Sequence, residues 1–252
     1  METLSLKKDA QRVLLDYRKL TGYQLQEDTL RFILKKYPDH SIPEAVETKV
    51  KTLNLYYSTN IHAVGNMAKH ILSIANIDKR LDKGEASLVN DIARLRSAKG
   101  GTRNNYSFAT KYCAYHRPTL FPIYDKIVSD IFLSLFRNGK LNGYSYTNRQ
   151  KTKKSGHYTL KAFSNNLKNY SFYKTVYDQF ITQYDLSSFS YRQVDSYLWG
   201  AYKIANKQYL IKDLALINTT NLHPLSITEA RKKHIIGYLV RRVKSHIHLF
   251  RV

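Results

Sequence analysis

The residues best suited to chemistry lie in Tyr106-Ser107-Phe108-Ala109-Thr110-Lys111 and, fourteen positions beyond the lysine, at Asp125. On a helical wheel Phe108, Ala109, Tyr112 and Cys113 form one apolar face, with Lys111 off it beside Ser107 and Thr110. Singly, neither residue is diagnostic. A lysine on a polar helix face is ordinarily solvated, and an aspartate at a helix start is explained by capping. The connection between them is more informative. Pro118 stops the first helix, and the tight Phe121-Pro122-Ile123-Tyr124-Asp125 segment opens the next. A short helix, a Pro-bounded turn and a second helix start can bring an amine and a carboxylate to one cleft. The carboxylate then sits where the helix dipole favours negative charge.

Such a pair suits cleavage of an N-glycosidic bond. The transition state is oxocarbenium-like, so a fixed carboxylate stabilises the positive sugar. An amine beside it can attack the anomeric carbon and form a Schiff base. The amine must first be neutral, and at the ordinary lysine pKa of about 10.4 only roughly one in 2,500 is neutral at pH 7. Burial and nearby positive charge would raise that fraction, or Asp125 would take the proton.

The elements that must position these groups read as helical almost throughout, which predicts an all-α protein. Leu14, Leu15 and Tyr17, then Leu30, Phe32, Ile33 and Leu34, predict two helices ahead of Pro38. A third runs from Pro43 to about Leu55. A fourth, over about Ile61 to Ile74, carries Val64, Met67, Ala68, Ile71 and Leu72 on one face. The next, over about Ala86–Ala98, carries Leu88, Ile92 and Leu95. Gly100-Gly101-Thr102-Arg103-Asn104-Asn105 is the clearest loop and feeds the helix about Tyr106–His116. Asp125 caps a helix to about Phe136 whose buried stripe is Ile127, Val128, Ile131, Phe132, Leu135 and Phe136. From Arg137 to Lys161 the chain is polar, basic and tyrosine-bearing, and reads either as a loop or as a short hairpin. Helices are expected again at Phe163–Tyr184, Tyr191–Ala205 and Thr228–Val243, the last rich in Lys and Arg.

The 252 residues carry 41 Lys and Arg against 19 Asp and Glu, a formal charge of +22. A polyanion offsets such an excess, and each neutralised phosphate releases a counterion, so nucleic acid is the expected partner. No apolar run approaches the 18 or so residues of a membrane span, and the N-terminus METLSLKKDAQR is not a secretory signal. Cys113 is the single cysteine, which excludes an intrachain disulfide and Cys-based zinc or iron–sulfur sites, and fits a reducing cytoplasm. The nine histidines show no His-Glu-x-x-His pattern, and no metal or cofactor is expected. Aromatic rings on a basic surface can stack on bases, but most of the 21 Tyr and ten Phe are assigned to the core.

Together these segments resemble the helix-hairpin-helix (HhH-GPD) DNA glycosylase superfamily, in which a Lys is followed by an Asp in a Pro-Val-Asp-like turn. Phe108-Ala109-Thr110-Lys111 is more similar to the archaeal-type 8-oxoguanine DNA glycosylases than to the endonuclease III branch. Ser58-Thr59-Asn60-Ile61 resembles the polar turn that fills the gap left by a flipped base, with Ser58 or Asn60 as the wedge. A capping cluster opening the next helix is the alternative. Asp195 and Trp199, four apart on one helix face, resemble the pair that holds the extruded base by hydrogen bonding and stacking, with Tyr124 beside them. The match spans roughly Tyr56 to Lys203. It departs at the hairpin, where Gly100 to Asn105 replaces the usual Leu-Pro-Gly-Val-Gly. There Gly100, Gly101 and Arg103 would grip phosphate in its stead.

The resemblance implies a single all-α glycosylase-like domain over residues 1–252, folded as two helical lobes with Lys111 and Asp125 in the cleft between them. It implies a monomer in the cytoplasm, on bacterial or archaeal nucleoid DNA. Double-stranded DNA would be its partner, held in part by Lys151, Lys153 and Lys154 of the basic insertion. The base would be a hypermodified phage base, such as glucosylated hydroxymethylcytosine, or an oxidised purine such as 8-oxoguanine, removed with or without AP lyase action. The competing readings are a DNA- or RNA-binding protein that keeps the fold without the chemistry, and a ribosome-associated basic protein.

Overall fold

A computed structural model describes residues 21–96, 101–147 and 156–202, together with Ala10, Gln11, Val13 and Leu14. The described chain is mostly helical, as the apolar spacing predicts. Helix α1 is Thr21–Lys36, α2 is Pro43–Tyr57, α3 is Val64–Leu72, α4 is Ile77–Asp82 and α5 is Ala86–Ala93. A hairpin of β1, Arg94–Arg96, and β2, Thr102–Asn104, leads to α6, Tyr106–His116. Then come α7, Lys126–Arg137; β3, Ser145–Tyr146; β4, His157–Tyr158; α8, Leu160–Asn166; α9, Tyr170–Gln183; and α10, residues 191–202. No described helix is long and apolar enough to cross a membrane.

The described helices share one hydrophobic core. Helix α6 runs through it, packing against α1, α2 and α5, while α5 also meets α9. Phe108, Ala109, Thr110, Lys111, Tyr112 and Cys113 are all buried. The wheel predicts a wet side for this helix; the fold covers that side as well. A helix surrounded by core needs no amphipathic stripe.

Local chemistry sets the boundaries. Pro43 occupies the first turn of α2, where its missing N–H costs nothing. Asn54 then fixes the turn after α2: its Oδ1 accepts from Thr59 Oγ1 and from the Ile61 N–H, both at 2.9 Å. Asp125 caps α7, its Oδ1 accepting from the Val128 N–H at 2.8 Å. The expected stripe of α7 is buried from Val128 through Phe136, with Ile127 at its margin.

Four expectations are corrected. The helix expected over Ala86–Ala98 ends at Ala93, because Arg94-Leu95-Arg96 pairs antiparallel with Thr102–Asn104. The Arg-Leu-Arg alternation suits a strand whose outer residues face water. The expected loop from Thr102 to Asn104 is therefore the second strand of a β-hairpin. The single helix expected over Phe163–Tyr184 is two, because the Asn169 side chain caps α9 by accepting from the Phe172 N–H at 3.2 Å. In α1, Leu30 is buried but Phe32 is exposed. Within the basic insertion β3 and β4 pair in parallel. A Cβ on Gly156 there would stand 2.6 Å from the Gly143 carbonyl oxygen, so only glycine fits that crossing. Helix α4, begun by Asn76 in the left-handed region, escapes the periodicity because only Ile77 and Leu81 mark it.

A cluster of ionisable groups lies beneath α6. His40 Nδ1 bonds Asp78 Oδ1 at 2.6 Å, and its Nε2 meets the Tyr112 hydroxyl at 2.9 Å. His116 stacks on His40 with centroids 4.9 Å apart, and its buried Nε2 has no hydrogen-bond partner. Lys49, also buried, donates to the Asp39 carbonyl at 2.7 Å. Burial lowers its pKa to about 8. Burial, reinforced by Lys49, His40 and Arg117, holds His116 well below its ordinary value. Burial also lowers His40, against the pull of Asp78. Below the unfolded value of about 6.5, the unfolded chain binds more protons at these imidazoles than the native chain. The contribution of these imidazoles to stability is therefore complete near neutrality and falls as pH drops through that value. Urea midpoints should decrease between pH 7.5 and pH 5, and the decrease should shrink in His116→Phe. An unchanged slope in that variant would place the acid sensitivity elsewhere.

Candidate active site

Lys111 projects from the buried length of α6 and is 6% exposed. Its Nζ donates to Ser107 Oγ at 2.7 Å, one turn back, and lies 5.6 Å from the centre of the Tyr57 ring. The segment that delivers Asp125 is held to α6 and α9 by hydroxyl groups on three successive carbonyls. Tyr170 donates to the Pro122 carbonyl at 3.0 Å, and Tyr173 to that of Ile123 at 2.5 Å. Ser107 and Thr110 approach the Tyr124 carbonyl at 3.4 Å. Thr110 Oγ1 also accepts from the Tyr124 N–H at 3.2 Å. A run with no ladder partner in the core thus has its backbone oxygens satisfied by side chains.

Helix α10 enters through a capping box. Ser190 Oγ accepts from the Gln193 N–H at 3.3 Å, and Gln193 Oε1 from the Ser190 N–H at 2.9 Å. That start fixes the phase of Arg192, Asp195 and Trp199. Arg192 is an almost buried cation with partners on four helices. It bonds Asp195 Oδ2 at 2.6 Å, the Tyr57 hydroxyl at 2.9 Å, the Tyr115 hydroxyl at 3.1 Å, and Glu27 of α1. The Tyr57 and Tyr115 hydroxyls bond each other.

These groups surround a cavity of about 370 Å³. Lys111, Asp125, Asp195 and Trp199 all line it, with Ser58 at one side and Tyr56, Tyr57, Gln26, Glu27 and Arg192 completing the wall. Its volume is in the ordinary range for a small-molecule site. Burial lowers the Lys111 pKa, assisted by Arg192 and opposed by Asp125 and Asp195. Burial raises Asp195 to about 7, with Asp125 and Glu27 pushing the same way and Arg192 and Lys111 restraining it. Asp195 Oδ1 is buried with no hydrogen-bond partner. The arrangement holds an amine biased toward its neutral form, a carboxylate fixed by a helix start, and a second carboxyl poised between its two forms near neutral pH. That is the equipment for nucleophilic attack with charge stabilisation.

Of the residues singled out by sequence, the fold brings Lys111, Asp125, Asp195, Trp199 and Ser58 together. It does not bring Tyr124, Asn60, Gly101 or Arg103 to this cavity. Tyr124 turns into the aromatic core, 4.7 Å from Tyr106 and 5.2 Å from Tyr173 between ring centres. Asn60 is exposed, and Ser58 closes α2 in the left-handed region, so the polar turn ends one helix rather than opening the next. Gly101 and Arg103 are exposed on the hairpin. Gly100, Lys151, Lys153, Lys154 and the basic helix expected over Thr228–Val243 lie outside the described residues. A larger cavity of about 610 Å³ shares the Glu27–Arg192 wall but contains none of the residues singled out by sequence. Sequence reasoning missed Glu27, Tyr57, Tyr115 and Arg192. The three-residue spacing of Arg192 and Asp195 on one helix was the available signal; Glu27, 165 positions from Arg192, left none. Among the described residues no group of three or more His, Cys, Asp or Glu is arranged to hold a metal.

A family model described as HI_0787_N, an N-terminal domain, matches residues 9–120. A protein of Haemophilus influenzae, described as uncharacterized, is 35% identical over 161 residues, which is 64% of this chain and 68% of that protein. The chain belongs to this family. No solved structure matches it.

Two measurements test the geometry. Burying an amine is costly, so Lys111→Met should stabilise the fold by about 1–2 kcal/mol in urea unfolding, as expected where function opposes stability. A comparable loss would make Lys111 a structural residue. Tyr173→Phe leaves the Ile123 carbonyl bare in the core and should cost about 1–3 kcal/mol. A neutral result would mean that water replaces the hydroxyl.

Proposed function

We propose that the protein is a DNA glycosylase that flips a modified base out of double-stranded DNA and excises it. The observation that carries this reading is the convergence of Lys111, Asp125, Asp195 and Trp199 on one cavity, in the roles that the glycosylase resemblance assigns them. The excess of 22 positive charges supports a polyanionic partner. A stacked base hides its glycosidic bond, so the nucleotide must swing out to reach a cavity of this kind.

In this mechanism the Lys111 amine, in its neutral form, which burial favours, forms a bond to C1′ of the sugar. The electron pair of the C1′–N bond leaves with the base, which takes up a proton. Asp125 stabilises the positive charge that develops on the sugar. Loss of an amine proton and opening of the C1′–O4′ bond give a Schiff base between Lys111 and the sugar. Water then hydrolyses the Schiff base and frees the lysine. Asp195 and Trp199 hold the expelled base by hydrogen bonding and stacking. The two-lobed glycosylase architecture, with the cleft between lobes, is part of the same proposal. So is the choice of base: a hypermodified phage base such as glucosylated hydroxymethylcytosine, met in anti-phage defence, or an oxidised purine such as 8-oxoguanine.

The test is to incubate the protein with unmodified, 8-oxoguanine-containing and glucosylated duplex DNA and to count abasic sites, with borohydride present in a parallel set. One modified duplex should yield abasic sites and a covalent protein–DNA adduct. Lys111→Gln should abolish the adduct, and Asp125→Asn should slow excision by about 10²–10³-fold. Absence of abasic sites on all three duplexes, with salt-sensitive DNA binding indifferent to Asp125→Asn, would replace the enzyme with a binding protein.

A further inference from the structure

Arg192 contacts no group that the proposed reaction consumes, yet it touches two walls of the cavity. One fork nitrogen holds Asp195 Oδ2, which leaves Oδ1 as the oxygen without a partner. The other holds the Tyr57 hydroxyl, and the Tyr57 ring stands 5.6 Å from the Lys111 amine. Glu27 and the Tyr115 hydroxyl complete the guanidinium's partners from α1 and α6. A planar, permanently charged fork can hold several acceptors in fixed directions at once; an ammonium cannot.

We propose that Arg192 is the positioning residue of this site: it fixes Asp195 at the cavity wall through Oδ2, pins Tyr57 beside Lys111, and sets a positive charge against those of Asp125 and Asp195 around the amine. The inference rests on the base-excision reading for the reaction served; the arrangement of the wall does not.

The charged and titratable groups facing Lys111 are Asp125 at the start of α7, Asp195 and Arg192 on α10, and Tyr57 on α2, with Glu27 of α1 behind Arg192. With Arg192 neutralised, Asp125 and Asp195 act on the amine unopposed and favour its ammonium form. Retaining the charge without the fork frees Asp195 and Tyr57 to move while leaving a cation beside Lys111. The two substitutions therefore separate charge from geometry.

The experiment uses the full chain, reductively methylated with ¹³C-formaldehyde, and follows the Lys111 methyl resonance against pH by NMR, with Lys111→Gln assigning the signal. In Arg192→Gln the Lys111 titration should move upward from the wild-type position, and in Arg192→Lys it should stay near it. On whichever duplex is cleaved, Arg192→Gln should lose excision rate at pH 7 and regain it as the pH is raised, since an upward move of the titration leaves less neutral amine at neutrality. Arg192→Lys should weaken retention of the base, seen as a raised KM with its pH profile in place. Should Arg192→Gln fail to fold because Glu27 loses its ion pair with the guanidinium, the double variant Glu27→Gln with Arg192→Gln takes its place. An unmoved Lys111 titration in a folded charge-removed variant, or a loss of rate equal at every pH, would overturn the proposal. A moved titration in a protein that cleaves no DNA would keep Arg192 in this role and remove the glycosylase.

Discussion

The structure turns on a helix with no wet side. Helix α6 is enclosed by α1, α2 and α5, so a lysine in its middle has no route to solvent except through a cavity. Burial of that one amine explains why polar groups gather around it. Ser107 takes its hydrogen bond, Asp125 and Asp195 offer opposite charge, and Arg192 balances the carboxylates that would otherwise outnumber the cations. Buried charges are commonly paired with an opposite charge. Here the nearest bonded group is a hydroxyl, and the carboxylates border the same empty space.

Neighbouring positions on this helix serve different surroundings. Lys111 faces the cavity, while Tyr112 and His116 face His40, Asp78 and Lys49. Both neighbourhoods disfavour cations through burial. Around Lys111 burial favours the neutral amine; around His116 it favours the neutral imidazole. The tyrosines link the two. Their rings fill the space between helices, and their hydroxyls satisfy backbone oxygens or side-chain charges that would otherwise be stranded.

Much of this was legible in the residues. Apolar spacing placed α2, α3, α6 and α7 within a few positions, Asp125 was readable as a cap, and the four-residue step from Asp195 to Trp199 put both on one wall. What failed had local physical causes. Leu95 continued a helical period that Arg94 and Arg96, alternating outward, had already broken. Asn169 was a cap inside a stretch whose aromatic residues kept the period unbroken. Tyr124, adjacent to Asp125, points the other way because extended backbone sends consecutive side chains to opposite sides. The Glu27–Arg192 contact depends on how α1 and α10 meet across the core, a fact that no window of sequence contains.

The single cysteine has a practical consequence. Cys113 lies fully buried in α6, and burial pushes its thiol well above the ordinary range, so it offers almost no thiolate to an oxidant or an alkylating reagent while the chain is folded. A cysteine engineered anywhere on the surface would thus be the one position that takes up a maleimide dye, and the native protein is a ready background for distance measurements by fluorescence or spin labels.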